Sequence, residues 1–256
     1  MRRSIWPTAC AALGRKVHDK FVPFGPDHVA AILLTVLVPA ALSLVVHRRP
    51  MLDPFFRWFF ASLLIGTWIA WYALFIERGW LGLGNALPMN LCDWATIALL
   101  VTLFKPNRKT YELAYFWAFA GTIQGLVTPD VNYRFPEPQF VVFILGHAGI
   151  IAAVIYLTFG TRLRQVEASI PRVIGWTFVY AGAAALTDWV LGTNYGFFRA
   201  KPTHPTFYDL LSAWPYYIPE TVAIGMVAVI VLYSPWFVID RFGSRARGSH
   251  PSTSSG

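Results

Sequence analysis

The chain carries seven long apolar runs, each close to the length that crosses the hydrocarbon core of a bilayer. A transmembrane helix needs roughly 20 predominantly apolar residues. Only 13% of the residues are charged, whereas a soluble domain has about 25%. The runs are continuous rather than alternating, which argues against membrane-spanning strands. The sequence therefore predicts an all-α integral membrane protein, a bundle of seven transmembrane helices over residues 28–46, 57–76, 87–104, 111–127, 139–159, 172–191 and 216–239.

Three regions follow from this pattern. Residues 1–27 form an N-terminal tail that is suited to lie in the membrane interface, because it combines basic and apolar residues. Residues 28–239 form the membrane domain. Residues 240–256 form a C-terminal tail rich in Ser, Thr and Gly, which we expect to be disordered.

The distribution of basic residues predicts the orientation. Odd-numbered spans run from one membrane face, here called face A, to the other, called face B. The loops and helix ends of face B carry twelve Lys and Arg residues, and the loops of face A carry four. The positive-inside rule places face B in the cytoplasm of a multi-pass plasma-membrane protein, with its C-terminus inside and its N-terminus outside. The five basic residues of the N-terminal tail run against this assignment.

The net charge of +8 fits contact with anionic lipid head groups better than nucleic-acid binding, because the basic residues fall between the apolar runs. We therefore expect membrane lipids as partners and no nucleic acid. The sequence has no His-x-x-x-His, Cys-x-x-Cys or Glu-x-x-His cluster, so it gives no reason to invoke a metal or another cofactor.

Polar residues inside the apolar runs converge on face A. Cys92, Gln124, His147 and Asp188 lie on four different spans. At about 1.5 Å per residue, each lies within roughly 5–12 Å of that face. Polar groups inside a membrane are costly and usually face the bundle interior. The sequence thus predicts a polar pocket that opens toward one leaflet.

Cys92 and His147 are the candidate reactive pair in this pocket. A histidine on a facing helix can take the proton of a thiol and make it a nucleophile. The plainer interpretation is that Cys92 is a small apolar side chain and that His147 links two helices. Further pocket or oxyanion-hole candidates are Asn90, Asp93, Gln124, Thr128, Asp188, Asn194 and Tyr195.

The fourth span carries a stripe of small and polar residues. Gly121, Gln124, Gly125 and Thr128 follow a spacing of three or four residues, so they share one helix face. Glycines at this spacing allow a neighbouring helix to approach closely. Gln124 then either bonds a neighbouring helix or lines the pocket.

Several segments together resemble a known family. They are FVPFGPDH (21–28), LPMNLCD (87–93), ELAYFW (112–117), GTIQ (121–124), TPD (128–130), the segment 143–149 around GHAG, GTNY (192–195), KP (201–202) and WPYY (214–217). In this order and spacing they are similar to the YwaF-like bacterial integral membrane proteins, over about residues 21–238. A vertebrate transmembrane acyltransferase acting on ether lysophospholipids is related to that family.

The resemblance implies a seven-helix protein whose active centre, in the acyltransferase branch, is a cysteine of span three and a histidine of a later span. In this sequence these are Cys92 and His147. One departure is Asn90, since the family commonly has His two residues before the cysteine.

The sequence leaves three functions open. The first is a cysteine-dependent lipid acyltransferase or acyl hydrolase that acts on a phospholipid or lysophospholipid. The second is a non-enzymatic carrier or binding protein for a lipid or small amphiphile. The third is a structural membrane component. Proton-coupled transport is disfavoured, because the sequence has neither an inverted repeat nor polar residues near face B.

Overall fold

The computed structural model describes residues 20–132, 134–203 and 206–248, and that part of the chain is helical without a β-strand. Eight α-helices are numbered in chain order: α1 (Pro26–Arg48), α2 (Asp53–Glu77), α3 (Leu91–Phe104), α4 (Arg108–Trp117), α5 (Ile123–Val127), α6 (Pro138–Gly160), α7 (Ser169–Leu191) and α8 (Tyr217–Gly248). A π-helical turn, Ala118–Thr122, joins α4 to α5.

Five helices, α1, α2, α6, α7 and α8, are long and apolar enough to cross a membrane. The predicted all-α membrane architecture is confirmed to this extent. The third predicted span is the 14-residue α3, and the fourth is the rod made of α4, the π turn and α5. These two segments are shorter or interrupted, so the count of seven spans stays a prediction.

Local chemistry explains why α3 is shorter than the apolar run that contains it. The run begins at residue 87, but Pro88 has no backbone N–H to donate. Asn90 occupies the N-cap position in an extended conformation, and its N–H donates to the Asp93 carboxylate over 3.0 Å. This contact is one half of a capping box, which satisfies a backbone donor that the helix itself leaves free. The helix therefore begins at Leu91.

The core lies along α4 and α6. Tyr111 and Phe116 of α4 and Tyr156 and Leu157 of α6 are fully buried. By contrast, α1 and α8 expose most of their apolar side chains. Lipid tails are as apolar as leucine, so such side chains gain little by packing inward and can face the bilayer. The outer helices are therefore the ones with the least buried surface.

Contacts between loops and helix ends support the assignment of face A. Arg78, just after α2, pairs with Glu137, just before α6, at 2.8 Å. Arg134 pairs with Asp27 of α1 at 3.3 Å. The end of α2 and the starts of α1 and α6 therefore lie together.

A second set of contacts gathers the opposite helix ends at face B. Tyr156, near the end of α6, donates to Asp53 at the start of α2 over 2.7 Å. Arg172, near the start of α7, pairs with Glu112 near the start of α4. The alternating direction predicted from the sequence agrees with both sets of contacts.

The C-terminal helix runs further than the seventh predicted span. That span was expected to end at residue 239, and α8 continues to Gly248. Residues 1–19 of the predicted N-terminal tail and residues 249–256 of the predicted C-terminal tail lie outside the described residues.

Candidate functional site

A cavity of about 630 Å³ lies between the helices and the loop that precedes α8. Its volume is within the range of about 300–1,000 Å³ that is usual for small-molecule sites. Helices α2 to α8 all contribute to its lining. Six of the site residues predicted from the sequence line it: Asn90, Cys92, Asp93, Gln124, Thr128 and His147.

The cavity changes in character with depth. Its polar lining, which includes Asn90, Gln124 and Gln139, comes from the ends of α3, α5 and α6 at face A. Its apolar lining includes Ile150 and Val229, further along α6 and α8. Val229 lies twelve residues after the start of α8, about 18 Å along that helix. The cavity is thus polar near face A and apolar toward the membrane interior.

Cys92 is the second residue of α3 and is half-buried in the cavity wall. The positive end of the α3 dipole favours a negative charge at this position, whereas the neighbouring carboxylate of Asp93 opposes it. Cys92 is a free thiol. The part of the chain that the structure describes shows no hydrogen bond between the Cys92 thiol and the imidazole of His147.

His147 has one ring nitrogen held and the other free. Its Nδ1 lies 2.9 Å from the Phe143 carbonyl oxygen, and its ring stacks on the Phe143 ring at a centroid distance of 4.2 Å. A carbonyl oxygen only accepts, so Nδ1 must carry the hydrogen in the neutral ring. Nε2 then keeps its lone pair and finds no protein partner among the described residues. This is the tautomer that a base requires if Nε2 is to take a proton.

The glycine stripe of the fourth span sets the distance between α5 and α6. A Cβ built on Gly125 would overlap the imidazole of His147, and a Cβ built on Gly121 would overlap the Leu91 side chain of α3. The close approach predicted from the spacing of these glycines is confirmed. The π turn at Ala118–Thr122 precedes this contact, and such turns are frequent at functional sites.

Asn90 and Gln124 offer amide groups to the cavity. The Asn90 side-chain oxygen accepts a hydrogen bond from the Gly196 N–H over 3.4 Å. The Gln124 side chain lines the cavity and makes no hydrogen bond within the described part of the chain. Thr128 donates from its hydroxyl to the Gln124 carbonyl over 3.2 Å. Of the three, Gln124 is the one whose side chain has no hydrogen bond in the described part of the chain and is therefore available to a bound molecule.

Asp188 lies outside the main cavity and organises the loop after α7. One carboxylate oxygen accepts from the Thr193 hydroxyl and from the Tyr195 N–H, each over 2.7 Å. Asp188 also borders a separate hollow of about 250 Å³ with Arg199. Its contacts tie the helix end to the loop and give it no contact with His147.

Asn194 and Tyr195 also build this loop rather than the main cavity. Asn194 accepts from two backbone N–H groups, those of Arg199 and Ala200, and donates to the Ala200 carbonyl, all over 2.9 Å. The Tyr195 hydroxyl donates to the Leu83 carbonyl over 2.5 Å and accepts from the Leu87 N–H over 2.9 Å. Tyr195 thereby joins the loop after α7 to the loop before α3.

The sequence interpretation missed three polar groups of the cavity. The Tyr180 hydroxyl, the Thr122 hydroxyl and the Gln139 side-chain oxygen are buried without a hydrogen-bond partner among residues 20–132, 134–203 and 206–248, and all three residues line the cavity. Unsatisfied buried polar groups are costly. Thr122 could have been found from the sequence because it follows Gly121 of the stripe, whereas Tyr180 lies in an apolar run that gives no such signal.

Tyr208 lies in the loop before α8 and also lines the cavity. Burial raises the pKa of its hydroxyl to about 12, with a smaller contribution from Tyr217. The phenol therefore stays neutral at physiological pH and remains able to donate a hydrogen bond.

Comparison with known proteins gives one match. The family model of the TMEM164 family, which is a transmembrane family, matches residues 23–233. Searches of the curated proteins and of the solved structures gave no match. The matched segment includes every helix from α2 to α7 and all six predicted site residues in the cavity. The chain belongs to the TMEM164 family.

Proposed function

We propose that this protein is a membrane-embedded lipid acyltransferase or acyl hydrolase that uses Cys92 as nucleophile and His147 as base. The observation that carries the proposal is that one amphipathic cavity is lined by both the Cys92 thiol and a histidine with a free Nε2. Catalytic hydrogen bonds are often long or unformed without substrate and tighten when it binds. The absent thiol–imidazole bond is compatible with this behaviour.

The reaction has two halves. In the first, Nε2 of His147 takes the thiol proton, and the sulfur of Cys92 attacks the ester carbonyl of a phospholipid. The carbon–oxygen ester bond breaks, a thioester forms, and the departing lysolipid oxygen receives the proton from His147. In the second, the hydroxyl of a lysolipid, or water, gives its proton to Nε2 and attacks the thioester. The new ester or acid leaves, and the thiol recovers its proton.

The tetrahedral intermediates of both halves need a hydrogen-bond donor for the oxyanion. Gln124 fits this role best, since its side-chain amide has no other partner in the described chain and lines the same cavity as Cys92 and His147. The hydroxyl of Tyr180, which lines the same cavity, is a second possible donor. Asn194 is a weak choice, because its amide already donates within its loop.

The polarity of the cavity suggests the substrate. A phospholipid or lysophospholipid has a polar head and an apolar chain, which matches polar groups near face A and apolar groups at depth. The resemblance to the YwaF-like family and its ether-lipid acyltransferase relative points to the same substrate class. The reaction as written needs no metal or organic cofactor.

The proposal includes the arrangement in the membrane. We propose that α3 and the rod of α4, the π turn and α5 complete a seven-segment bundle in which face B is cytoplasmic. The rod spans residues 108–127, about 30 Å at 1.5 Å per residue. The cavity would then open toward the outer leaflet of the plasma membrane.

A second candidate is a non-enzymatic carrier for a lipid or small amphiphile. The observation that favours it is the position of Cys92 beside the carboxylate of Asp93, which disfavours a thiolate by like-charge repulsion. A carrier would use the cavity without using the thiol.

Transfer of acyl chains by purified protein separates these candidates. Protein in nanodiscs would receive a phospholipid with a labelled acyl chain and an unlabelled lysophospholipid acceptor. We expect labelled product or free acid from the wild type and a loss of at least 100-fold in Cys92→Ala and His147→Ala. Unchanged turnover in Cys92→Ala would contradict the enzymatic proposal. Retained lipid binding without any turnover in the wild type would favour the carrier.

A further inference from the structure

Several side chains of α7 and α8 that line the cavity described above are also exposed. Phe178 of α7 is 61% exposed, and Val222 and Met226 of α8 are 41% and 45% exposed. All three also line the cavity. This combination is expected of side chains at an edge where the cavity meets the outer surface of the bundle. That surface lies among membrane-spanning helices, so it faces lipid tails.

Each of the two helices has a stripe of residues that line the cavity. On α8 the stripe includes Val222, Gly225, Met226 and Val229, and on α7 it includes Ile174, Thr177, Phe178 and Ala181. These spacings of three and four residues place each set on one helix face. Phe178, Val222 and Met226 are exposed members of these stripes, and Val229 is a buried one.

We propose that the seam between α7 and α8 is a lateral portal through which the acyl chain of a membrane-resident lipid enters the cavity from the bilayer. The proposal rests on the proposed function, since it names how the lipid of that reaction reaches the site. An acyl chain that enters from the side stays in an apolar medium throughout, whereas passage through face A would expose its CH₂ groups to water at a cost in free energy.

The packing of α8 supports such a passage. Among the five long helices α8 has the smallest buried share. Gly225 lies in its cavity stripe, and a Cβ built there meets nothing within 4 Å. The space beside Gly225 is open, and no side chain at this position blocks the passage.

This open space provides a test by obstruction. Gly225→Trp would place an indole at the passage, and its Cβ would meet no neighbour within 4 Å. Gly182→Trp is the matched control. Gly182 is exposed on α7, does not line the cavity, and likewise has nothing within 4 Å of a Cβ. It lies nine residues before the end of α7, and Gly225 lies eight after the start of α8, so both substitutions sit at a similar depth.

The measurement is photo-crosslinking in nanodiscs with two probes. One is a long-chain phospholipid with a diazirine in its acyl chain, and the other is a water-soluble short-chain phospholipid with the same group. Peptide mapping should locate the long-chain crosslinks in the wild type at Phe178, Val222, Met226 and the cavity wall. We expect Gly225→Trp to lower the long-chain yield in the cavity about tenfold and the short-chain yield at most twofold, while Gly182→Trp changes neither.

Two results would overturn the portal. The first is that Gly225→Trp leaves the crosslinking yield of both probes unchanged. The second is that it lowers both yields equally, because the indole would then fill the cavity rather than its side opening. A wild type that crosslinks neither probe in the cavity would instead contradict the proposed function. Phe178→Ala adds an independent arm, because widening the seam should speed long-chain crosslinking at least twofold, and no gain would count against the portal.

Discussion

The imidazole of His147 packs directly against the Cα of Gly125, so closely that a Cβ on residue 125 would overlap the ring. The same imidazole is held from the other side by the Phe143 carbonyl and the Phe143 ring. The ring is therefore fixed by its own helix and by the absence of a side chain on α5. Its Nε2 position depends on this glycine.

Replacement of Gly125 should consequently act through His147. We expect Gly125→Ala to push the imidazole out of place and to lower acyl transfer at least tenfold, or roughly 1.4 kcal/mol. Gly121→Ala is the control, because its Cβ meets the end of the Leu91 side chain, which can move. Turnover and thermal unfolding of both variants should be measured together. Equal losses of turnover in the two variants would show that Gly125 has no special link to His147.

The two histidines His28 and His147 should differ in what they support. His28 is fully buried; its Nδ1 accepts from the Phe24 N–H over 3.0 Å, and its Nε2 lies 2.7 Å from the Leu126 carbonyl oxygen. His28→Ala leaves buried backbone groups unpaired and should cost about 1–3 kcal/mol of unfolding free energy. His147→Ala should cost less stability and nearly all turnover. The opposite pattern in unfolding titrations and activity assays would reverse the roles assigned to the two rings.

The ion pairs of face B should differ in strength according to burial. Glu112 is fully buried between Arg108 and Arg172, whereas Arg164 and Asp240 form an exposed pair. Glu112→Gln leaves Arg108 and Arg172 without the carboxylate that offsets their charge. It should therefore lower the unfolding free energy by about 2–3 kcal/mol. Asp240→Asn should change it by less than about 1 kcal/mol. Unfolding in mixed micelles measures both, and similar effects would mean that Glu112 is not isolated from water.

Labelling of introduced cysteines tests the seven-segment arrangement. In a background with Cys10 and Cys92 replaced by Ser, a cysteine at Leu83 should react with a membrane-impermeant reagent on intact cells. A cysteine at Asn107 should react only after permeabilisation. This pattern is expected because α3 joins the face A loop that holds Leu83 to the face B turn that holds Asn107. Labelling of both positions on intact cells would mean that α3 does not cross.

The sequence predicted the helices better than their interruptions. Hydropathy identified α1, α2, α6, α7 and α8, because each is a long uninterrupted apolar run. It did not predict the start of α3 at Leu91 or the π turn before α5. Both depend on local hydrogen bonding, by the Asn90 cap and by one inserted residue, to which an average over twenty residues is insensitive.

The cavity shows the same division. Helix direction and depth were enough to predict that Cys92, Gln124 and His147 line the same cavity. Asp188 and Tyr195 were expected there too, but their partners lie in loops whose course depends on tertiary contacts. Depth along a helix gives height in the membrane and does not give the direction in which a side chain points.

Glu112 illustrates a different failure. It lies at the face B end of the fourth predicted span, but it was not among the polar residues assigned to the bundle interior, so its burial was not foreseen. Its partner Arg172 comes from a helix 60 residues further along the chain. No local sequence pattern predicts such a long-range ion pair.

Detection of an acyl-thioester on Cys92 would test the proposed mechanism most directly. Purified protein in nanodiscs would be mixed with a phospholipid donor, without an acceptor, then quenched in acid and analysed by intact mass and peptide mapping. We expect one added acyl mass on the Cys92 peptide that hydroxylamine removes. We also expect no adduct in Cys92→Ala and at least 100-fold slower formation in His147→Ala. Acyl transfer that proceeds while Cys92 stays unmodified, or that survives in Cys92→Ala, would contradict the mechanism.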